Sequence, residues 1–399
     1  MTTIAQPEAL RSSGPSEALV ALGLSTGAAV SLGFSRFAYA LLLPPMRDSL
    51  RWTYVQAGGL NTANAIGYIF GSAMAAWFSK RLGIKNAFLL TLLVSATALL
   101  ASGVANSYAE LWTLRALGGY TTGVLYVLGA SLATGISAGG SPQQSARMVA
   151  IYITGVGSGI VISGLVVPPM LARSGAMDWQ AGWIWMGAIS LALLVIAALA
   201  VKAVPQQTAR DSGALPMSEA RFLWPTFLSF GLYAAGYVSY MTFIIVLLRQ
   251  QGGSLRVTAL FWVMLGIASF CGTLLWGKVL AKVHGGKGPA IVSIAVMLGA
   301  LPVLIWPNLV AAFVSAVVFG GSFMAGPSSV TTLVRKLSVP HLATAAIAAL
   351  TVAFAIGQAI GPVLSGFISD STGSVGVGLW TAPLLLILAA IVAPMQKLR

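Results

Sequence analysis

The chain has 399 residues, of which 57% are hydrophobic and only 8% are charged, and its mean hydropathy is +0.89. Soluble globular domains carry roughly a quarter charged residues, so this composition excludes such a domain and indicates a protein built for lipid. The formal net charge of +14 does not indicate a nucleic-acid-binding surface, because the basic residues are scattered in ones to threes between apolar segments. The single cysteine, Cys271, excludes an intramolecular disulfide.

Apolar segments follow one another in a regular series along the chain. A membrane-spanning helix needs about 20 predominantly apolar residues, and cutting the sequence at Pro, Gly and charge clusters predicts twelve such helices. They lie near 18–45, 54–78, 86–105, 108–133, 147–171, 181–202, 222–248, 256–280, 288–306, 308–333, 342–368 and 375–395. The sequence therefore predicts an all-α membrane protein with twelve transmembrane helices.

A polar stretch at 202–221 divides this series into two sets of six helices. In each set a basic cluster follows the second helix, and a short glycine-containing loop accompanies it. This weak repetition predicts two six-helix pseudo-repeats with a binding site between them. The predicted units are a cytoplasmic tail, an N-terminal six-helix bundle, a cytoplasmic central loop and a C-terminal six-helix bundle, over residues 1–17, 18–201, 202–221 and 222–399.

The distribution of basic residues predicts the orientation. Of the 22 lysines and arginines, fifteen fall on the side of the N-terminus and five on the other side. Because cytoplasmic loops carry the excess of Lys and Arg, both termini are predicted to be cytoplasmic. The remaining two, Arg36 and Arg115, fall inside predicted helices.

Several motifs resemble those of the major facilitator superfamily, and the resemblance covers residues 18–395. The segment SKRLGIK at 79–85 resembles the superfamily's loop between helices 2 and 3, although Lys80 stands where that motif usually has Asp. The resemblance implies a gating loop with Lys80, Arg81 and Gly83. LWTLRALGG at 111–119 is similar to the fourth-helix motif built around an arginine, and GQAIGP at 357–362 to an eleventh-helix pattern.

Two further segments resemble a narrower bacterial branch, the YbfB/YjiJ type. They are GFSRFAYALLLPPM at 33–46 and YITGVGSGIVISG at 152–164. The resemblance implies a multi-pass transporter in the bacterial inner membrane that works by alternating access.

The two arginines inside predicted helices contrast with the eight acids, all of which fall in the tail, the loops or the helix ends. A charged side chain that faces lipid at the bilayer centre costs about 2.5–3.5 kcal/mol on the insertion scale, so both arginines should face protein or a water-filled cavity. In the resembling superfamily helices 1, 4, 7 and 10 line the central cavity, which implies that Arg36 and Arg115 point at the cargo. A planar guanidinium suits a carboxylate, to which it can donate two hydrogen bonds.

Helical periodicity extends this candidate site. Tyr39 shares a stripe with Arg36, Thr122 and Tyr126 line up with Arg115, and the predicted seventh helix offers Tyr233, Tyr237, Ser239 and Tyr240. Weaker candidates are Asn61, Asn64, Ser322 and Gln358.

Structural interpretations of the same residues stay open. Arg115 is as well suited to a structural or gating role as to binding, and Arg36 could pair with Asn61 or Asn64 or reach outward towards water. The tyrosines could serve aromatic packing alone. The glycine series Gly155, Gly159 and Gly164 favours close helix packing.

The resulting hypothesis is a monomeric transporter of a small organic anion, with membrane lipid around it and no nucleic-acid partner. The sequence has no phosphate-binding glycine loop with lysine and no metal-ligand spacing, so we predict no enzyme activity, cofactor or metal site. Family resemblance implies possible proton coupling, but facilitated diffusion, anion exchange or symport of a protonated cargo fit the residues as well. The alternatives are efflux of drugs or of neutral or aromatic metabolites, a cation held by aromatic faces, and a non-transporting membrane sensor.

Overall fold

The computed structural model of the protein describes residues 15–137, 140–174, 178–205, 215–338 and 340–398. These residues form twelve long helices and no strand. The first six are α1 (Glu17–Leu50), α2 (Tyr54–Leu82), α3 (Ile84–Ser102), α4 (Tyr108–Ile136), α5 (Pro142–Ser174) and α6 (Trp179–Ala203). The second six are α7 (Trp224–Gln250), α8 (Leu255–Lys282), α9 (Lys287–Ile305), α10 (Leu309–Leu337), α11 (Pro340–Thr372) and α12 (Val375–Met395).

The predicted all-α class with twelve helices is confirmed. Eleven of the helices in the described residues are long and apolar enough to cross a membrane. The remaining helix, α2, is 29 residues long and less apolar than the others, since Gln56, Asn61 and Asn64 lie in it. Large apolar side chains cover the outside of the bundle, as Phe70 (62% exposed) and Val310 (73% exposed) illustrate. Such an exterior is what a bilayer requires.

Local sequence signals begin two of the central helices. Thr53 and Gln56 form a reciprocal capping box at the start of α2, and Ser107 and Glu110 form another at the start of α4. The Glu110 carboxylate accepts hydrogen bonds from the backbone N–H of Asn106 at 2.7 Å and of Ser107 at 3.2 Å. Glu110 is thus used at the cap of its own helix.

Three details differ from the predicted elements. The first helix is interrupted by a π-helix at Ala29–Phe37. The tenth consists of two α-helical segments that meet at Met324. The predicted central loop, 202–221, contains the end of α6 and a short helix at Met217–Phe222. Residues 206–214 of that loop and 1–14 of the predicted tail lie outside the described residues.

Glycines let the helices of the first set approach closely. A Cβ on Gly67 or Gly71 of α2 would collide with the backbone of α4, at Ala116 and Tyr120 respectively. The series predicted for helix packing has this role as well: Gly155 and Gly159 of α5 lie against the backbone of α1. Gly164 of the same series lies against α8 instead. Contacts this close are enriched in membrane bundles because lipid provides no hydrophobic force between helices.

Two helix pairs join the first set of six helices to the second. Helix α2 contacts α11, where a Cβ on Gly58 would come within 2.6 Å of the Pro362 carbonyl oxygen. Helix α5 contacts α8, where a Cβ on Gly157 would come within 2.6 Å of the Phe270 nitrogen. Beside these two main seams, α1 also contacts α7 through its second part, Tyr39–Leu50. A cavity lies between the two sets of helices.

The turn between α2 and α3 consists of Gly83 alone. Its φ of +75° and ψ of 145° lie in a region that is essentially restricted to glycine. Lys80 and Arg81 occupy the last turn of α2, and the Arg81 guanidinium lies 5.8 Å from the centre of the Trp77 ring. Cations are favourable at a helix C-terminus. A gating role for this loop stays a prediction.

Candidate functional site in the central cavity

The central cavity lies between the two sets of helices. Helices α1, α2 and α4 of the first set line it, together with α7, α10 and α11 of the second. Seven of the lining residues are aromatic: Phe37, Tyr68, Tyr126, Phe230, Tyr237, Phe323 and Phe354. Among the described residues, Arg36 is the only charged residue in the lining. The cavity is therefore an aromatic chamber with one cationic group.

Arg36 projects from the π-helix of α1 and is only 5% exposed. Its guanidinium carbon lies 5.8 Å from the centre of the Tyr68 ring, within the range of a cation–π contact. Within the described part of the chain it has no hydrogen-bond acceptor and no carboxylate within ion-pair distance. The Arg36 guanidinium is thus a buried cation that keeps its donors available to the cavity.

Arg115 does not line this cavity, which corrects the expectation that both arginines face the cargo. Its guanidinium donates one hydrogen bond to the backbone carbonyl of Ser35 and another to Asn61 Oδ1 at 3.0 Å. It also lies over the ring of Tyr39, with 4.7 Å from the guanidinium carbon to the ring centre. Arg115 is 3% exposed and is held by protein carbonyls, so the structural interpretation of this residue fits the geometry.

Helix α4 binds the backbone of the π-helix at two points. In addition to the bond from Arg115 to Ser35, the Thr122 hydroxyl donates to the carbonyl of Ser31 at 2.9 Å. Arg115 and Thr122 are seven residues apart and so lie on one face of α4. A π-helix is unusual and is frequently found at functional sites, and here it carries Arg36. Thr122 therefore holds the backbone of the π-helix that carries Arg36, and it is not part of the cavity lining.

Three other predicted residues do meet at the cavity: Tyr126, Tyr237 and Gln358. The Gln358 amide nitrogen donates to the Tyr237 hydroxyl. The amide oxygen, Gln358 Oε1, is buried and has no hydrogen-bond partner within the described residues. A buried polar atom without a partner costs about 1–3 kcal/mol. A hydrogen-bond donor on a ligand would remove this cost, so the oxygen is a candidate binding group.

The remaining predicted residues are used by the protein itself. Tyr39 donates to the carbonyl of Ala57 at 2.9 Å, Tyr233 to that of Phe323, and Ser239 to that of Ala235 at 2.8 Å. Tyr240 bonds to the Ser315 hydroxyl. Ser322 is buried but is not part of the lining.

Asn61 and Asn64 serve Arg115 rather than Arg36. Asn61 accepts from the guanidinium and donates to the Thr242 hydroxyl at 2.7 Å. Asn64 donates to the backbone carbonyl of Arg115 at 3.2 Å. The alternative in which Arg36 pairs with either asparagine is therefore not seen.

Sequence reasoning missed Tyr68 and the phenylalanines of the lining. Tyr68 follows Asn61 and Asn64 by seven and four residues, a spacing that places all three on one face of α2. Phe354 precedes Gln358 by four residues on α11 in the same way. These spacings could have predicted both residues, whereas Phe37, Phe230 and Phe323 carry no signal that separates them from ordinary core aromatics.

Hydrogen bonds close the cavity on one side. We call the membrane face where α1 begins and α12 ends the termini face, and the other one the opposite face. Between the two sets, the Asp370 carboxylate accepts from the backbone N–H of Tyr54 at 2.8 Å and of Val55 at 2.9 Å, and Gln250 donates to the Tyr54 hydroxyl at 2.8 Å. All these residues lie at helix ends on the opposite face, so the cavity occupies the middle and the termini-face half of the bundle.

A second cavity lies at the opposite face, beyond these contacts. It is lined by the ends of α1, α5, α7 and α8, with Arg47, Asp48 and Arg249 among its residues. Arg47 lies 3.6 Å from the Asp48 carboxylate and 3.9 Å from the centre of the Tyr54 ring. Arg47 and Asp48 thus pair with each other, and Arg249 donates a hydrogen bond to the Gly253 carbonyl at 2.8 Å.

The arrangement of two six-helix sets around one central cavity defines a transporter of the major facilitator superfamily. The chain belongs to the family described as "Uncharacterised MFS-type transporter YbfB", which it matches over residues 28–394. The predicted resemblance is thereby confirmed. It is a membrane transporter and not an enzyme.

Two relatives from Bacillus subtilis (strain 168) match most of the chain. An "Uncharacterized MFS-type transporter YceJ" is 26% identical over 369 residues, which cover 90% of this chain and 91% of the relative. An "Uncharacterized transporter YycB" is 22% identical over 361 residues, which cover 88% of this chain and 85% of the relative.

Solved transporters share the fold at low sequence identity. The nucleoside transporter NupG superimposes with a TM-score of 0.71 at 14% identity, covering 95% of this chain and 98% of NupG. A D-xylose-proton symporter superimposes with a TM-score of 0.67 at 16% identity, covering 96% of this chain and 98% of the symporter. A bacterial homologue of the human lysosomal transporter Spinster, inward-facing and unoccupied, superimposes with a TM-score of 0.66 at 17% identity, covering 96% of each chain. These similarities support the fold alone.

Proposed function

We propose that this transporter moves a small organic anion, in the simplest case a carboxylate, by alternating access. The observation that carries the proposal is the state of Arg36, a buried cation with free donors in a cavity whose described lining contains no acid. A cationic cargo would meet repulsion here, because buried like charges at about 4 Å cost about 4 kcal/mol at an effective dielectric constant near 20. A carboxylate gains an attraction of the same size and can accept two hydrogen bonds from the guanidinium.

The remaining lining defines the rest of the cargo. Seven aromatic rings make the walls apolar and flat, so the body of the anion should be apolar or aromatic. A strongly hydrated dicarboxylate would have to bury a second charge without a second cation. We therefore assign a monocarboxylate with an apolar or aromatic body.

Access would alternate between the two membrane faces. The cavity occupies the termini-face half, and the bonds between the two sets lie on the opposite face. We propose that both termini are cytoplasmic, as the distribution of basic residues predicts, and that the membrane is the bacterial inner membrane. The geometry then corresponds to a cavity directed towards the cytoplasm, and the reverse state requires the contacts of Asp370 and Gln250 to open.

The energy source would not be a proton relay within the cavity. None of the described lining residues is an acid or a histidine. Facilitated diffusion, anion exchange, or symport in which the cargo itself carries the proton fit this lining. A proton-coupled pathway elsewhere in the chain would show as uptake driven by a pH gradient in proteoliposomes even for a cargo that cannot be protonated, such as benzenesulfonate.

Ligand binding tests the charge of the cargo. The probes are three molecules of similar shape: benzoate, methyl benzoate and trimethylanilinium, followed by thermal unfolding of the purified protein. We expect stabilisation by benzoate and none by the other two. Arg36→Gln should weaken benzoate binding by about 10- to 100-fold, which corresponds to about 1.4–2.8 kcal/mol.

The matched control is Arg256→Gln, which removes an exposed arginine at the start of α8, far from the cavity. It should leave benzoate binding unchanged. Stabilisation by trimethylanilinium alone would overturn the anionic cargo. Equal losses in Arg36→Gln and Arg256→Gln would show that overall charge, and not the position of Arg36, attracts the anion.

A second candidate function rests on the aromatic lining. A neutral aromatic solute could bind to the seven rings without using Arg36, as an efflux transporter of drugs or metabolites would require. Binding of methyl benzoate that survives Arg36→Gln would favour this function over anion transport. The sensor hypothesis predicts ligand binding without flux, and benzoate flux in proteoliposomes would exclude it.

A further inference from the structure

The cavity has a second polar feature besides Arg36, namely the pair of Gln358 on α11 and Tyr237 on α7. The Gln358 side chain is fully buried, with 0% exposure, and Tyr237 is 5% exposed. Both line the central cavity and are joined by the hydrogen bond from the Gln358 amide to the Tyr237 hydroxyl. Within the described ranges, no residue pairs with the remaining amide oxygen of Gln358.

The pair leaves one acceptor oxygen unpaired, and it also leaves donors, namely the Tyr237 O–H and the second N–H of the Gln358 amide. Gln358 Oε1 has no partner within the described residues. The Tyr237 hydroxyl accepts from Gln358, and its own hydrogen is left to donate. Exchanging the amide oxygen and nitrogen of Gln358 would only exchange the two roles, since Tyr237 would then donate to Gln358 and accept from the cargo. Either way the pair offers a donor beside an acceptor.

We propose that Gln358 and Tyr237 form a specificity-determining site for a neutral group that both donates and accepts hydrogen bonds. A hydroxyl or a carboxamide has this character, whereas a second carboxylate cannot donate and an ether or a ketone cannot satisfy Gln358 Oε1. This inference rests on the proposed function, because Arg36 is assigned there to the carboxylate. The cargo class becomes a monocarboxylate with an aromatic or apolar body and a hydroxyl or amide group away from the carboxylate.

The surroundings favour a flat body between the two polar sites. Tyr237 packs against Phe354 with 5.8 Å between ring centres and against Phe323 with 6.0 Å, and Phe37 contacts Phe323 edge-on at 5.6 Å. Arg36 is the neighbour of Phe37 in sequence. Aromatic rings thus connect Phe37, the sequence neighbour of Arg36, to Tyr237, the hydrogen-bond partner of Gln358. A cargo that presents only an apolar surface to Gln358 leaves a buried acceptor unpaired, and sites of this kind discriminate strongly against analogues that lack the matching group.

The experiment compares 3-phenylpropanoate with its 2-, 3- and 4-hydroxyphenyl analogues by titration calorimetry on the full-length protein. In wild type, at least one hydroxyl isomer should bind about 10-fold or more tighter than the parent. Gln358→Met keeps the side-chain volume but removes both polar atoms, so it should abolish this preference. The parent should then bind at least as tightly as its hydroxyl analogues, because the variant has no acceptor that the parent leaves unpaired. Tyr237→Phe should reduce the preference in part, because it removes the donor and leaves Gln358 in place.

The outcomes separate this inference from the proposed function. Binding of parent and hydroxyl analogues with equal affinity, all lost in Arg36→Gln, would overturn the role of Gln358 and leave the anion proposal standing. A hydroxyl preference that persists in Gln358→Met would overturn it as well. Binding of none of the four carboxylates to wild type would overturn the proposed function and this inference with it. A loss of hydroxyl preference in folded Gln358→Met, judged by an unchanged unfolding temperature, is the result that supports it.

Discussion

The Arg115 guanidinium donates to the backbone carbonyl of Ser35, the residue that immediately precedes Arg36 in the π-helix of α1. Arg115 therefore binds the protein backbone, whereas the neighbouring Arg36 keeps its hydrogen-bond donors available to the cavity. The two cations have different roles because their acceptors differ: Arg115 has two protein oxygens, and among the described residues Arg36 has none.

Replacing each arginine by lysine should separate the two roles. Lysine keeps the charge but cannot bind the two acceptors of Arg115 with a planar fork. Losing one hydrogen bond to a charged group costs about 1.5–3 kcal/mol, so Arg115→Lys should lower the free energy of unfolding by about that amount. Denaturant unfolding in detergent micelles measures it. Arg36→Lys breaks no such bond and should cost less than about 1 kcal/mol, and an equal cost for both would refute the distinction.

Asp370→Asn should favour opening of the opposite face. The Asp370 carboxylate binds two N–H groups in the first turn of α2, where a negative charge is favourable by about 0.3–1 kcal/mol in addition to the hydrogen bonds. Losing about 1–2 kcal/mol would shift the equilibrium towards the open form by about 5- to 30-fold. Val238 is a buried residue of α7 that lines a small interior pocket together with Arg36. The readout is the rate at which Val238→Cys reacts with a thiol reagent added from the opposite face, in a Cys271→Ser background.

The control for this prediction is Asp48→Asn at the same face. Asp48 pairs with Arg47 of its own helix, so its loss breaks no contact between the two sets of helices. The thiol reaction of Val238→Cys should stay at its original rate in Asp48→Asn. If both acid variants accelerate it equally, the Asp370 contacts are not what keeps the opposite face closed.

Gly157→Ala and Gly277→Ala should have opposite effects on stability. A Cβ at Gly157 would lie 2.6 Å from the Phe270 nitrogen and 2.7 Å from the Gly266 carbonyl oxygen, so α5 and α8 must separate. Overpacking of this kind costs about 1–3 kcal/mol. Gly277 lies in α8 with nothing within 4 Å of an added Cβ, and alanine there removes the helix penalty of glycine, roughly 1 kcal/mol. Thermal unfolding should show a lower midpoint for the first variant and an unchanged or higher one for the second.

Gly83→Ala should strain the turn between α2 and α3. The φ and ψ of Gly83 are accessible to glycine and cost another residue about 1–3 kcal/mol. There is open space around the position, so a clash cannot explain a loss of stability. If the turn also gates transport, this variant should lower the benzoate flux more than the benzoate affinity. An unfolding midpoint equal to that of wild type would contradict the strained backbone.

The helices could be predicted from the sequence because each span is an apolar run with a clear boundary. The π-helix could not, since residues 29–37 carry no sequence signal that separates wider turns from α-helical ones. Two of its carbonyls, those of Ser31 and Ser35, accept hydrogen bonds from α4, and the sequence does not show these contacts either. Likewise, the position of Arg115 in the fourth helix was evident, but its orientation depends on how closely α1 approaches α4. Glycines such as Gly118 of α4, whose added Cβ would lie 2.6 Å from the Ser35 hydroxyl oxygen of α1, set that distance.

Polar residues of the site were harder to assign than charged ones. Tyrosines 233, 237 and 240 share a helix and a residue type, and the sequence offers no reason to choose among them. The structure directs Tyr233 and Tyr240 to partners on α10 and leaves Tyr237 at the cavity beside Gln358. The role of each tyrosine depends on which oxygen lies within hydrogen-bond distance of its hydroxyl. A single sequence does not show these distances.

The third helix of each set, α3 and α9, is only 19 residues long. At 1.5 Å per residue such a helix measures about 28 Å, slightly less than a hydrocarbon layer of about 30 Å. Any tilt would shorten its reach further, so the lipid beside these two helices must thin to match them. Phosphatidylcholines with shorter acyl chains should therefore be the better host for reconstitution, and long-chain lipids should cost the protein stability at these two positions first.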